Sequence, residues 1–141
     1  MGIWSRLLAR KARTAPAGNP AAETVEPARF LPVERTDCPF RDLSSDEVAQ
    51  QVSEGAQVLD VRFEHEYERR HIPGAKLLPL PILYQRYAEL DPGQTYVVVC
   101  EHGIRSYNAC HFLAEKGFTR LFNLSGGMSA YTGPQAAGQA Q

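Results

Sequence analysis

Apolar residues along this chain switch repeatedly between strand-like and helix-like spacing from about residue 43 onwards. The short run at residues 57–61 indicates a buried strand, and the run at 95–99 ends in three consecutive valines, which is typical of a strand buried on both faces. Shorter runs at residues 76–80 and 120–123 predict two more strands. The pattern therefore supplies at least four strands for one sheet.

Helical signals separate these strands. Ser44 and Glu47 are spaced as a capping box, and Gly55 is placed to end the helix that they begin. Gly117 and Phe118 are placed to close a later helix with a Schellman-type cap. Helices are predicted over residues 44–54, 64–70, 82–90 and 106–116, with a short closing helix that ends at residue 131.

The alternation of strands and helices predicts an α/β fold, with a small parallel sheet flanked by helices on both faces. With 141 residues, 43% of them hydrophobic, the chain can bury one core of ordinary size but not two. We expect one domain over residues 36–134. A flexible basic Ala/Pro-rich extension (1–35) is expected before it and a flexible tail (135–141) after it.

Residues 3–13 of this extension combine an apolar helical face with several basic side chains. The segment can touch an anionic membrane surface, dock on a partner or direct the chain to an organelle, but a frayed soluble tail is the simpler interpretation and the one we favour. No apolar run approaches the roughly 20 residues of a membrane-spanning helix. With no such helix expected, we predict a cytoplasmic protein. A net charge of −1 argues against nucleic acid as a partner.

The cysteines Cys38, Cys100 and Cys110 are an odd number without the spacing of a disulfide scaffold or a zinc site. Cys110 lies on the apolar stripe of a predicted helix and is expected to pack in the core. Cys38 lies near the start of the domain, and a role as a resolving thiol is the less favoured interpretation of it. Cys100 ends the buried strand at residues 95–99, and sites in α/β proteins gather at such strand ends. Cys100 is therefore the candidate nucleophile.

The residues after Cys100 are suited to stabilise a charged sulfur atom. Gly103 permits a tight loop, and Arg105 opens the next helix. Converging backbone N–H groups, the helix dipole and the guanidinium should favour the thiolate and hold a persulfide anion. The predicted binding loop consists of Glu101, His102, Gly103, Ile104 and Ser106, with Cys100 and Arg105 as catalytic residues.

Charged residues also follow the strand at residues 57–61. Asp60 can orient the active-site loop by direct contact, and an ion pair with Arg62 explains the same residues equally well. Glu64 and Glu66 come next, on a charged segment that we expect to face solvent.

Two histidines have open roles at this stage. His102 either shares a proton with the Cys100 thiol or points to solvent. His71 opens a turn at residues 71–75 and is expected to make structural hydrogen bonds rather than to act in catalysis.

Three stretches of the chain resemble the rhodanese family of sulfurtransferases. Residues 100–106 (CEHGIRS) look like its catalytic loop, and residues 59–62 with 71–75 look like its upstream signature. Residues 126–131 are similar to its carboxyl-terminal signature. The resemblance covers about residues 40–132. It departs from the family pattern at Arg70, where glycine is frequent, and at Tyr131, where tryptophan is usual.

The resemblance implies a single-domain, rhodanese-type thiosulfate sulfurtransferase. Cys100 would take a sulfane sulfur from a small donor, either thiosulfate or a persulfide, and pass it to a thiol, to cyanide or to a sulfur-accepting protein. Arg105 would stabilise the anionic sulfur, and no metal or organic cofactor is implied. Glu101, beside the nucleophile, predicts poor use of the thiosulfate dianion because like charges repel.

Two other functions compete with this one. One is a persulfide carrier or regulatory binding module for a dedicated protein partner: an intact Cys100 and Arg105 argue against a purely regulatory form, but the sequence does not separate a carrier from an enzyme. Phosphatases that resemble rhodaneses have a cysteine and an arginine that bracket a loop one residue longer, whereas four residues separate Cys100 from Arg105. The shorter loop should fit a sulfur atom but not a phosphate group.

Overall fold

The computed structural model describes residues 38–140, so the predicted extension and its basic segment lie outside the described residues. Strands and helices alternate in this range. In chain order they are β1 (Arg41–Leu43), α1 (Ser45–Ser53), β2 (Gln57–Asp60), α2 (Glu64–Arg69), β3 (Lys76–Leu77), α3 (Leu80–Arg86) with a 3-10 turn (Tyr87–Glu89), β4 (Tyr96–Val99), α4 (Ile104–Glu115), β5 (Leu121–Leu124) and α5 (Gly127–Ala130).

The five strands form one sheet in the order β1-β5-β4-β2-β3, and every neighbouring pair is parallel. β4 is central, and its four residues are all buried, as expected of a β-branched strand covered on both faces. Because all strands run in one direction, their carboxyl ends meet at the same edge of the sheet. The predicted fold class is confirmed.

The two faces of the sheet bury different helices. Val97 and Val99 of β4 pack with Val48 of α1, Tyr67 of α2 and Met128 of α5 in one apolar cluster. Because side chains alternate along a strand, the other residues of β4 face the opposite side of the sheet. On that side, α4 contacts β4 and β5, and α3 contacts α4. Helices therefore cover both faces and leave the carboxyl edge of the strands open for a site.

The helix ends follow the local signals of the sequence. The backbone N–H of Ser44 donates to Glu47 at 2.8 Å in the predicted capping box of α1. After α4, the N–H of Phe118 donates to the carbonyl of Leu113 at 3.0 Å, which is the outer bond of the predicted Schellman cap. Within the described residues, no helix is long and apolar enough to span a membrane.

Some boundaries differ from the sequence prediction. The edge strand β1 was not predicted, since its three residues are too few to show a period of two. α3 begins at Leu80, and α4 begins at Ile104 rather than at residue 106. Ala136 exchanges two backbone hydrogen bonds with His71, at 2.8 and 2.9 Å, so the chain stays bonded to the domain within the predicted flexible tail. Backbone pairing of this kind has no side-chain signature.

Candidate active site

Cys100 follows β4 directly and lies at the carboxyl edge of the sheet, between the strand and α4. Its side chain is 1% exposed. A short loop joins it to the helix, and this loop turns at Gly103, whose φ of 96° lies in the left-handed region that favours glycine. The strand end and the tight turn together bring the helix amino terminus back towards the thiol.

Two donors point at the Cys100 sulfur. The backbone N–H of Gly103 donates to Sγ at 3.0 Å, and the Ser106 hydroxyl donates to it at 3.3 Å. Both come from the loop and the first turn of α4, where the helix dipole also favours negative charge. A backbone donor at the thiol was predicted, whereas the hydroxyl contribution was not. Two hydrogen-bond donors therefore converge on this sulfur atom.

Residues of α5 donate hydrogen bonds to the backbone carbonyls of Cys100 and Glu101. The N–H of Met128 donates to the Cys100 carbonyl at 2.8 Å, and the N–H of Ser129 donates to the Glu101 carbonyl at 2.9 Å. A Cβ atom on Gly127 would lie 2.4 Å from the Glu101 carbonyl, so only glycine allows this approach. Residues 126–131, which resemble the family's carboxyl-terminal signature, therefore pack directly against the backbone of the loop.

Asp60 and Arg62 form a buried ion pair, with side chains that are 0% and 1% exposed. Arg62 donates from Nε to Oδ1 at 3.0 Å and from Nη2 to Oδ2 at 2.8 Å. Its Nη1 reaches on to Glu101 Oε1 at 3.1 Å. Of the two readings left open by the sequence, the ion pair is present, and it reaches the loop through Arg62.

Burial by itself would lower the pKa of Arg62. The hydrogen bonds and negative charges of Asp60 and Glu101 outweigh that effect and raise the pKa above its ordinary value. Arg62 therefore remains a cation inside the domain and carries the charge that both carboxylates need.

Arg105 donates from both terminal nitrogens to the carboxylate of Glu66, at 2.8 and 2.9 Å. The prediction that Glu66 is solvated is therefore wrong: its side chain is 14% exposed. Arg105 holds the pKa of Glu66 down to about 2. The pKa of Arg105 is raised, chiefly by these bonds and to a smaller degree by attraction to Cys100. Arg105 is thus anchored to α2 through its ion pair with Glu66.

The remaining predicted loop residues face outward. His102 is exposed, and its Nδ1 lies 3.2 Å from the Ser129 hydroxyl. Ile104 is 70% exposed and forms part of the rim of the loop. These positions leave the two side chains accessible to a molecule that approaches the loop.

Two predictions about residues away from the sulfur are confirmed. His71 is buried, and its Nδ1 lies 2.8 Å from the carbonyl oxygen of Tyr67, in agreement with a structural role. Cys110 is fully buried in α4, as the apolar stripe predicted. Within residues 38–140, no three His, Cys, Asp or Glu side chains are grouped closely enough to hold a metal ion.

Arg70 is a site residue that the sequence did not identify. Its Nη2 donates to Glu101 Oε2 at 3.2 Å, opposite the oxygen that Arg62 holds. The charge of Glu101 is therefore compensated by two guanidinium groups, and repulsion of an anionic donor no longer follows from Glu101 alone. The one signal in the sequence was an arginine where the resembled family often has glycine.

Comparison with known proteins finds a family match over most of the domain. The model of the family "Rhodanese-like domain" matches residues 44–133. The chain is similar to thiosulfate sulfurtransferase GlpE of Shewanella oneidensis, with 36% identity over 93 residues, which cover 65% of this chain and 92% of that protein. It is also similar to a putative sulfur carrier protein of Bacillus subtilis, with 36% identity over 57% of this chain and 43% of the carrier.

Among solved structures, the fold is similar to that of a rhodanese-related protein from Thermoplasma volcanium. The TM-score is 0.64 and the identity is 25%, over 68% of this chain and 97% of that one. The sheet and its helices therefore have close counterparts in an experimentally determined structure.

Proposed function

Since the chain belongs to the rhodanese-like domain family, we propose that it is a sulfurtransferase that carries sulfur on Cys100. Its donor would be a small sulfane-sulfur compound, thiosulfate or a persulfide, and its acceptor a thiol or cyanide. The observation that carries the proposal is the pair of hydrogen bonds to the Cys100 sulfur, from Gly103 N–H at 3.0 Å and from the Ser106 hydroxyl at 3.3 Å. Both bonds favour an anionic sulfur over a neutral thiol.

The reaction consists of two displacements at sulfur. In the first, the Cys100 thiolate forms a bond to the sulfane sulfur, and the donor's sulfur–sulfur bond breaks with its electron pair leaving on sulfite or on a thiolate. In the second, the acceptor attacks the outer sulfur of the Cys100 persulfide, and the thiolate is released. No external oxidant or reductant is consumed, and two easier steps replace one difficult transfer.

Each neighbouring group has a role in this scheme. The Gly103 N–H and the Ser106 hydroxyl would stabilise the thiolate before attack and after release. Arg105, held in place by its two bonds to Glu66, would stabilise the anionic sulfur by electrostatic attraction. The Asp60–Arg62 pair and α5 would keep the loop in the geometry that aims these donors.

A persulfide carrier that serves one protein partner is the second candidate. The similarity to a putative sulfur carrier protein supports it. An exposed apolar side chain at Ile104, on the loop itself, also offers a contact surface to a protein acceptor. The two functions share the persulfide and differ only in the acceptor.

Intact mass of the purified protein after exposure to thiosulfate or glutathione persulfide tests the proposal. We expect one added sulfur atom on the parent and on Cys110→Ser, and none on Cys100→Ser, because a serine hydroxyl forms no persulfide. Release of that sulfur to cyanide or to a small thiol over many turnovers supports the enzyme, and release only to a protein acceptor supports the carrier. Persistent sulfur loading of Cys100→Ser would refute the assignment of Cys100.

A further inference from the structure

Arg70 joins the active-site loop to α5. Its Nη2 donates to Glu101 Oε2 at 3.2 Å, and its Nη1 donates to the Met128 carbonyl at 3.1 Å. The backbone carbonyl of Arg70 accepts a bond from Arg62 Nη2 at 2.7 Å. The side chain is 35% exposed and that of Glu101 is 22% exposed, so solvent screens this pair only in part.

The two contacts of the Arg70 guanidinium both reach the backbone region of Cys100. Met128 donates its own N–H to the Cys100 carbonyl, and Glu101 is the next residue after Cys100. A guanidinium that holds both therefore limits rotation of the loop about its first two residues. Such rotation would move the Gly103 N–H away from the sulfur that it contacts at 3.0 Å.

Arg70 also completes a charge balance. Asp60 and Glu101 contribute two negative charges, and Arg62 and Arg70 contribute two positive charges, so the four groups sum to zero. Without Arg70 the group would carry one net negative charge beside a sulfur that is itself anionic during the reaction. Like charges a few ångströms apart in a partly buried site are unfavourable.

We propose that Arg70 is a positioning residue for sulfur transfer, which acts through Glu101 and the Met128 carbonyl to hold the loop and to cancel the charge of Glu101. The inference rests on the proposed function, since it assigns Arg70 to the loop that carries the sulfur. Arg70 would thus affect two separate properties: the geometry of the loop and the binding of an anionic donor.

Four variants separate geometry from charge. Arg70→Ala loses both, Arg70→Lys keeps the charge without the forked donors, and the double variant Arg70→Ala with Glu101→Gln restores neutrality without the clamp. Arg69→Ala is the matched control, because Arg69 is the adjacent, exposed arginine and its loss changes the net charge equally.

Steady-state rates with thiosulfate and with glutathione persulfide provide the first readout. We expect kcat to fall by about three- to tenfold in Arg70→Ala and in the double variant, as loss of one partly exposed pair and one backbone bond implies. The thiosulfate KM should rise only in Arg70→Ala, since in that variant alone the group of Asp60, Arg62 and Glu101 carries one net negative charge. Arg70→Lys should keep the thiosulfate KM of the parent while its kcat falls.

Hydrogen exchange at the amides of Gly103, Met128 and Ser129 provides a second readout that needs no turnover. These amides should exchange faster in Arg70→Ala than in Arg69→Ala, because their bonds to the loop open more often. Equal exchange and equal kinetics in the two variants would overturn the proposal. If the parent takes up no sulfur from any donor, the proposed function fails instead, and the exchange rates alone decide whether Arg70 holds the loop.

Discussion

Replacing Glu66 by glutamine measures how strongly the ion pair with Arg105 stabilises the domain. The carboxylate accepts two hydrogen bonds from Arg105 at 2.8 and 2.9 Å and a third from the Phe63 N–H at 3.0 Å. Glutamine has nearly the same shape but no charge, and its amide has one oxygen to accept a bond. The variant therefore removes the charge with little change in volume.

The magnitude follows from the pKa of Glu66. Arg105 holds this pKa at about 2 in the folded protein, against an ordinary value of 4.5. At about 1.4 kcal/mol for each unit of pKa, the ionised carboxylate adds about 3 kcal/mol to the free energy of unfolding at neutral pH. The bonds that glutamine still accepts reduce the expected loss to about 2 kcal/mol.

The pH dependence has a definite sign. Because the folded-state pKa lies below the unfolded one, the stabilisation is complete above about pH 4.5 and is lost as the pH falls from there towards about 2. The parent should therefore lose its advantage over Glu66→Gln across that window. At pH 7 and at pH 5 the difference between the two proteins should be the same.

Urea unfolding at about pH 7, 5, 4 and 3 is the assay, with Glu89→Gln as the matched control. Glu89 accepts two bonds from Arg86 at 2.7 and 2.8 Å, but about half of each side chain is exposed, so solvent screening should make its loss much smaller. A Glu66→Gln loss no larger than that of the control, or one that persists undiminished at pH 3, would refute the reasoning.

Two further variants test the buried Asp60–Arg62 ion pair and the close approach of Gly127 to the loop backbone. Arg62→Met leaves the fully buried Asp60 without its counter-ion, so we expect the free energy of unfolding in urea to fall by about 3–5 kcal/mol, and Asp60→Asn in the same chain to restore part of it. A fall below about 1 kcal/mol would contradict a buried ion pair. Gly127→Ala should lower both stability and the rate of sulfur transfer, because its Cβ would lie 2.4 Å from the loop backbone. Gly55→Ala is the control: it has open space around it and should lower stability alone. Equal rates of sulfur transfer in the two variants would argue against the close approach of Gly127.

The sequence alone determined the order of most elements and the place of the candidate nucleophile, Cys100. Short apolar runs predict β2 and β4, and the spacing of Ser44 to Glu47 and of Gly117 to Phe118 predicts where α1 begins and where α4 ends. These signals are readable because each depends on residues a few positions apart. The loop after Cys100 belongs to the same class, since the strand, the glycine and the helix that form it are contiguous.

Only the tertiary structure decided the partners of the charged side chains. Glu66 lies 39 residues from Arg105, and Glu101 lies 39 residues from Arg62 and 31 from Arg70, so no local spacing couples them. A charge on a short segment has the same pattern whether it faces solvent or an arginine on another element. The pairing depends on which strand ends meet at one edge of the sheet, and that is set by strand order, a property of the whole fold.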